Sequence, residues 1–157
     1  MDLKIGILTS RKNEVVDIIV EKFSDSIGAI ICETSDEDKI LEVFERSGVN
    51  LIILIEYFRK ISGNIISKYP DRILNIHPSL LPKFGGKGMY GMAVYDAVIN
   101  SEDKKSGVTI YVVEGDYDIG KIITQREVKV KGNITLLKKD ICEIEKDLIC
   151  EVLEKFY

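Results

Sequence analysis

The chain is 157 residues long, 45% hydrophobic and 31% charged, with a formal net charge of −4. That length is enough for one substantial core, and the acidic balance excludes phosphate-backbone binding of nucleic acid as a main role. No run of about 18 apolar residues is present to cross a membrane, and three cysteines without CxxC spacing beside a single histidine exclude a structural zinc site.

The N-terminus, MDLKIGILTS, reads as a strand and carries no leader-cleavage pattern. Residues 3–8 are its apolar part. Over residues 13–23, Val15, Val16, Ile18, Ile19, Val20 and Phe23 suit a helix packed on a sheet. Residues 29–32 are a second short strand. Ser35 stands where it can cap a helix whose first turn holds Asp36, Glu37 and Asp38, where acidic groups complement the dipole. Gly48 ends that helix. Residues 51–55 (LIILI) are apolar throughout, as in a parallel strand covered on both faces.

Residues 62–68 predict a short helix, and residues 73–76 a fourth strand that delivers His77 at its C-terminal end. A glycine-rich loop (residues 83–91) leads into a helix over 92–99. Residues 106–113 and 121–130 read as two strands joined by an acidic loop, the second alternating from Thr124 onward as an edge strand does. Residues 135–156 predict one long amphipathic helix, with Leu136, Leu137, Ile141, Ile144, Leu148, Val152 and Leu153 on its inner face. The order predicts an α/β fold, a doubly wound, mostly parallel sheet with helices on both faces and a long C-terminal helix. Ligands of such sheets bind beyond the carboxyl ends of the strands, which is where His77 falls.

A lone histidine at a strand end is more often structural than catalytic. Asn75 and Asp118 taken singly say even less. If the two later strands extend the same sheet, however, an amide, an imidazole and a carboxylate share one cleft. The carboxylate is then expected to raise the imidazole pKa and favour its charged form. An amide N–H and an imidazolium suit a developing oxyanion, as in acyl transfer where the substrate brings the nucleophile.

The segment NIHPSLLPKFGGKGMYG, followed by SGVTIYVVEGDYDIGKIITQREVKV, closely resembles the folate-dependent glycinamide ribonucleotide formyltransferases, a branch of the formyltransferase family. The likeness is dense over residues 51–130. It implies a Rossmann-like formyltransferase fold filling residues 1–157 as a single domain, shortened in its N-terminal half. The implied activity is formyl transfer from 10-formyltetrahydrofolate to a primary amine, glycinamide ribonucleotide by default, in purine synthesis. The alternatives are another acceptor, such as an amino sugar nucleotide, or a non-catalytic folate-binding relative.

The resemblance assigns Asn75, His77 and Asp118 as the catalytic trio: Asn75 and imidazolium His77 on the oxyanion, Asp118 holding His77 charged and helping to move the proton. It places the folate against Phe58, Arg59, Lys60 and Ile61 and against Glu114, Gly115, Asp116 and Tyr117. The acceptor falls to Ser10, Arg11, Lys12, Asn13 and Glu145. Three unpaired cysteines fit free thiols in a reducing cytoplasm, and the expectation is a monomer or homodimer that needs no metal, nucleic acid or membrane. The Leu81-Pro82 turn invites a cis peptide.

Several residues depart from the family pattern. The phosphate-cradling glycine loop is replaced by Thr9-Ser10-Arg11-Lys12-Asn13, where Arg11 and Lys12 offer charge in place of backbone amides. Glu56 stands where the family has Gly and is expected to crowd the folate pocket; Lys60 replaces an apolar residue. Tyr95 and Tyr111 stand where His is common, and are expected to be neutral for chemistry. The Gly85-Gly86-Lys87-Gly88 run lacks Walker spacing and reads as a loop near the site.

Overall fold

The computed structural model describes residues 1–156. The elements run β1 (Ile5–Thr9), α1 (Glu14–Lys22), β2 (Ile27–Cys32), α2 (Glu37–Arg46), β3 (Leu51–Ile55) and α3 (Gly63–Lys68). They continue with β4 (Ile73–His77), α4 (Met92–Asn100), β5 (Lys105–Val113), β6 (Gly120–Lys129) and α5 (Ile134–Glu154). One six-stranded sheet has the order β2-β1-β3-β4-β5-β6. The pairs from β2 to β4 are parallel, and β5 and β6 add on antiparallel. This is the predicted doubly wound α/β arrangement. Its strand order reverses at β1, and β6 is an edge strand as its alternation indicated.

Two cores form because successive strand residues face opposite sides of the sheet. Ile5, Ile7, Leu51, Ile53, Leu74 and Ile76 pack on one side with α1, α4 and α5. Leu8, Ile52, Leu54 and Ile73 pack on the other with α2 and α3. Burying a side chain the size of Phe44, which is fully enclosed, contributes roughly 2–3 kcal/mol. Gly6 is required beneath it: a Cβ there would lie 2.8 Å from the Phe44 ring and from Val49. The same alternation governs the site. Ile73 joins the α2–α3 side and Leu74 and Ile76 the other, so Asn75 and His77 project to the side of α2 and α3, and Tyr111 joins them there.

Two local expectations are corrected. The cap of α2 is Asp36, whose carboxylate accepts from the Lys39 amide, and not Ser35; Thr34 takes the Asp36 N–H, so the turn is one residue later. Leu136, expected on the inner face of α5, is exposed, while Ile149 and Cys150 are buried. Asn13 caps α1 by accepting from the Val16 amide. The Leu81-Pro82 peptide is cis. Among the described residues no helix is long and apolar enough to cross a membrane, and no group of His, Cys, Asp and Glu gathers as a metal site.

Candidate active site

A cleft opens at the carboxyl ends of β3 and β4. Ile55, Glu56, His77 and Pro78 line it there, and Asn75, Tyr111, Asp118 and Glu145 share it. Its apolar lining comes from Leu54, Phe58, Ile61, Met89, Tyr90 and Tyr117.

Strand pairing brings the trio together. In the antiparallel register Asn75 lies opposite Tyr111 and His77 opposite Thr109. The β5–β6 turn then carries Asp118 back over them in a left-handed conformation, φ 55°. Such a conformation costs a non-glycine residue about 1 kcal/mol and is typical of functional turns. Asp118 Oδ2 accepts from the Gly86 amide at 2.7 Å, Oδ1 accepts from the Tyr111 hydroxyl at 3.2 Å, and Oδ1 lies 3.3 Å from His77 Nδ1. Asn75 Nδ2 donates to the Tyr111 oxygen at 2.9 Å. His77 Nε2 stands 2.9 Å from the Phe84 carbonyl, which can only accept, so Nε2 carries the proton.

Two influences oppose each other at His77. Burial is the largest influence and pulls its pKa below the ordinary value; Asp118 and the Phe84 carbonyl push the other way and do not prevail. Nε2 faces the Phe84 carbonyl and Nδ1 the Asp118 carboxylate, so each ring nitrogen has an acceptor for a proton and neither points freely at a ligand. Tyr111, expected to be neutral for chemistry, bonds to two of the three trio residues. Strand alternation put it on the right face, but its position opposite Asn75 follows from a register that only the structure reveals. The Phe84 carbonyl and the Gly86 amide were also missed, because backbone groups leave no mark in residue type.

The folate-side residues divide. Phe58, Arg59, Lys60, Ile61, Gly115, Asp116 and Tyr117 line the cleft; Glu114 does not, and faces solvent. Lys60 pairs with Asp116, so the two loops meet across the cleft. Glu56 lines the cleft at φ 47° but turns its carboxylate to Arg11, Oε2 to Nε at 2.8 Å.

On the acceptor side, Glu145 lines the cleft, and burial together with the charge of Glu56 pushes its carboxyl pKa up to about 8. Burial, with Glu145 next in weight, also raises the Tyr95 phenol. Ser10, Arg11, Lys12 and Asn13 do not line this cleft. Ser10 accepts from the Phe58 amide, Arg11 is held by Glu56, and Asn13 is spent capping α1. Lys12 faces a separate groove beside Thr9, Asp17, Glu21 and Cys32.

The sequence pattern of a family described as formyl transferase matches residues 7–153. A chloroplastic phosphoribosylglycinamide formyltransferase of Vigna unguiculata is 40% identical over 152 residues, covering 95% of this chain and 47% of that protein. Its Arabidopsis thaliana counterpart is 41% identical over 117 residues, covering 73% of this chain and 40% of that protein. The chain thus spans about half the length of these curated relatives or less. A phosphoribosylglycinamide formyltransferase structure from Streptococcus pneumoniae superimposes with a TM-score of 0.87 at 24% identity, each chain covered to 99%. A formyltetrahydrofolate deformylase structure from Pseudomonas syringae does so at 0.79 and 19% identity, covering 93% of this chain and 58% of that one. These two likenesses speak for the fold. By the match over residues 7–153 and the 40% identity over 95% of its length, the chain belongs to the formyl transferase family.

Proposed function

We propose that the chain transfers a formyl group from 10-formyltetrahydrofolate to a primary amine, glycinamide ribonucleotide, as a step of purine synthesis. The observation that carries this reading is the convergence of Asn75, His77 and Asp118 in one cleft of a chain that belongs to the formyl transferase family. The names of the plant relatives support the acceptor.

The cleft fits a folate. Phe58, Ile61, Tyr90 and Tyr117 offer apolar and aromatic surface for a flat heterocycle, with the polar trio beside them. The bound formyl donor supplies an acyl carbon attached to a nitrogen leaving group. Asn75 has one amide N–H on Tyr111 and a second to give to a carbonyl oxygen as charge gathers there. Asp118 takes the proton that an attacking amine sheds and passes it to the folate nitrogen as the carbon–nitrogen bond to the donor breaks. For His77 to donate to the carbonyl oxygen itself, its Nε2 leaves the Phe84 carbonyl.

A second reading changes the acceptor. Arg11 bound to Glu56 and Asn13 committed to its cap favour an amine whose phosphate sits elsewhere, such as an amino sugar nucleotide. The free thiols of Cys32, Cys142 and Cys150 support a reducing, cytoplasmic location, as a monomer or homodimer. Screening amines against a fixed formyl donor tests both readings. Turnover of glycinamide ribonucleotide supports the first, and turnover of an amino sugar nucleotide alone supports the second. Folate binding with no turnover of any amine overturns both and leaves a non-catalytic folate-binding relative.

A further inference from the structure

We infer that Tyr111 is a positioning residue that dictates which way the Asn75 amide faces and how Asp118 is hydrogen-bonded. This rests on the proposed formyl transfer and goes beyond it, since it assigns the working state of the trio to a fourth side chain.

Tyr111 sits on β5 directly opposite Asn75 on β4 and is 3% exposed. The β5–β6 register slips between Ile110 and Tyr111, an irregularity that re-aims side chains. The hydroxyl bridges Asn75 Nδ2 at 2.9 Å and Asp118 Oδ1 at 3.2 Å.

The polarity of this bridge has one solution. An ionised carboxylate only accepts, so the phenol must give its proton to Asp118. The phenol oxygen is then left with lone pairs alone, and Asn75 must present its NH2 rather than its carbonyl. Burial, then the charge of Asp118, raises the Tyr111 pKa and keeps the phenol a donor. Asn75 is thereby held as a donor before any ligand arrives. Without the bridge the amide is free to flip and offer a carbonyl to the developing oxyanion, which is repulsive. Phenylalanine keeps the ring and loses the bridge. Histidine in its neutral form can donate from one ring nitrogen and accept at the other, with the same polarity.

The test compares wild type, Tyr111→Phe and Tyr111→His in formyl transfer, and follows His77 by NMR in the ligand-free protein. The sole histidine gives one imidazole signal. In Tyr111→Phe, kcat falls about ten-fold or more, the size of a lost hydrogen bond to a charged group, while KM for both substrates stays within about two-fold. The His77 midpoint rises by roughly half a pH unit, because Asp118, freed of the phenol, offers more charge to the imidazole. Tyr111→His recovers most of kcat. An unchanged kcat and an unchanged imidazole midpoint in Tyr111→Phe overturn the inference, as does a folded Tyr111→His no better than Tyr111→Phe. If the Phe variant does not fold, Tyr111→His decides alone: retained kcat supports the bridge, and loss of kcat in a folded protein rejects it. A wild type inactive on every amine refutes the functional reading, and the NMR arm still tests the bridge.

Discussion

His77 Nδ1 stands 3.3 Å from Asp118 Oδ1, with 5% and 11% of the two side chains exposed. Burial and charge act against each other at this pair, and burial leads. In NMR the imidazole of the ligand-free protein is expected to titrate below the ordinary histidine value. Asp118→Asn removes the carboxylate's upward pull and lowers the midpoint further, by about one pH unit. A midpoint that rises in Asp118→Asn would contradict the assignment.

Glu145 and His77 give stability opposite pH dependences. The Glu145 carboxyl, up at about 8 from 4.5, holds a proton when folded that the unfolded chain has released. Its contribution is full below 4.5 and is lost as pH rises through 8. His77, with its folded pKa depressed, contributes stability above 6.5 that is lost as pH falls. Urea unfolding of wild type between pH 6 and 9 therefore shows a decline that Glu145→Gln lacks, the difference reaching about 1–3 kcal/mol. Parallel profiles for the two proteins would refute the placement of Glu145.

Glu56 occupies a left-handed position and holds an exposed arginine. Glu56→Gly relieves the backbone by about 1 kcal/mol and frees Arg11. Exposed ion pairs are worth about 1 kcal/mol or less, so KM for a phosphorylated acceptor falls by up to about five-fold. KM for an unphosphorylated amine does not move. Equal responses of both acceptors would show that Arg11 meets no phosphate.

Gly120 links fold to site. A Cβ at this position would lie 1.7 Å from the Val112 carbonyl oxygen and 3.0 Å from the Tyr111 ring. Neither backbone can yield without parting β5 from β6 and moving Asp118. Gly120→Ala is expected to cost more than about 2 kcal/mol in urea unfolding and to lower kcat in whatever fraction remains folded. Wild-type stability in this variant would contradict the close strand approach.

What the residues disclosed in advance was whatever depends on a pattern along one segment. Residues 51–55, apolar throughout, form β3 with those bounds, and His77 ends β4 as its apolar approach indicated. The convergence of Asn75, His77 and Asp118 was legible because each belongs to a segment that resembles its family closely. What stayed hidden depends on contacts between segments. The partner of His77 Nε2 arises from the loop that folds the Phe84 carbonyl onto it. The bridge of Tyr111 arises from strand register. The ion pair of Arg11 with Glu56 joins residues 45 apart, and no local pattern announces it. The choice of Asp36 over Ser35 as a cap is subtler, since both types cap well and only the chain path selects one.

The most direct measurement is the rate of formyl transfer from 10-formyltetrahydrofolate to glycinamide ribonucleotide by wild type, His77→Ala and Asp118→Asn, each checked for a native unfolding midpoint. Turnover by wild type is expected, with a loss of about 10²–10⁴-fold in kcat for each variant and folate still bound. Folded variants that turn over at wild-type rates would contradict this expectation.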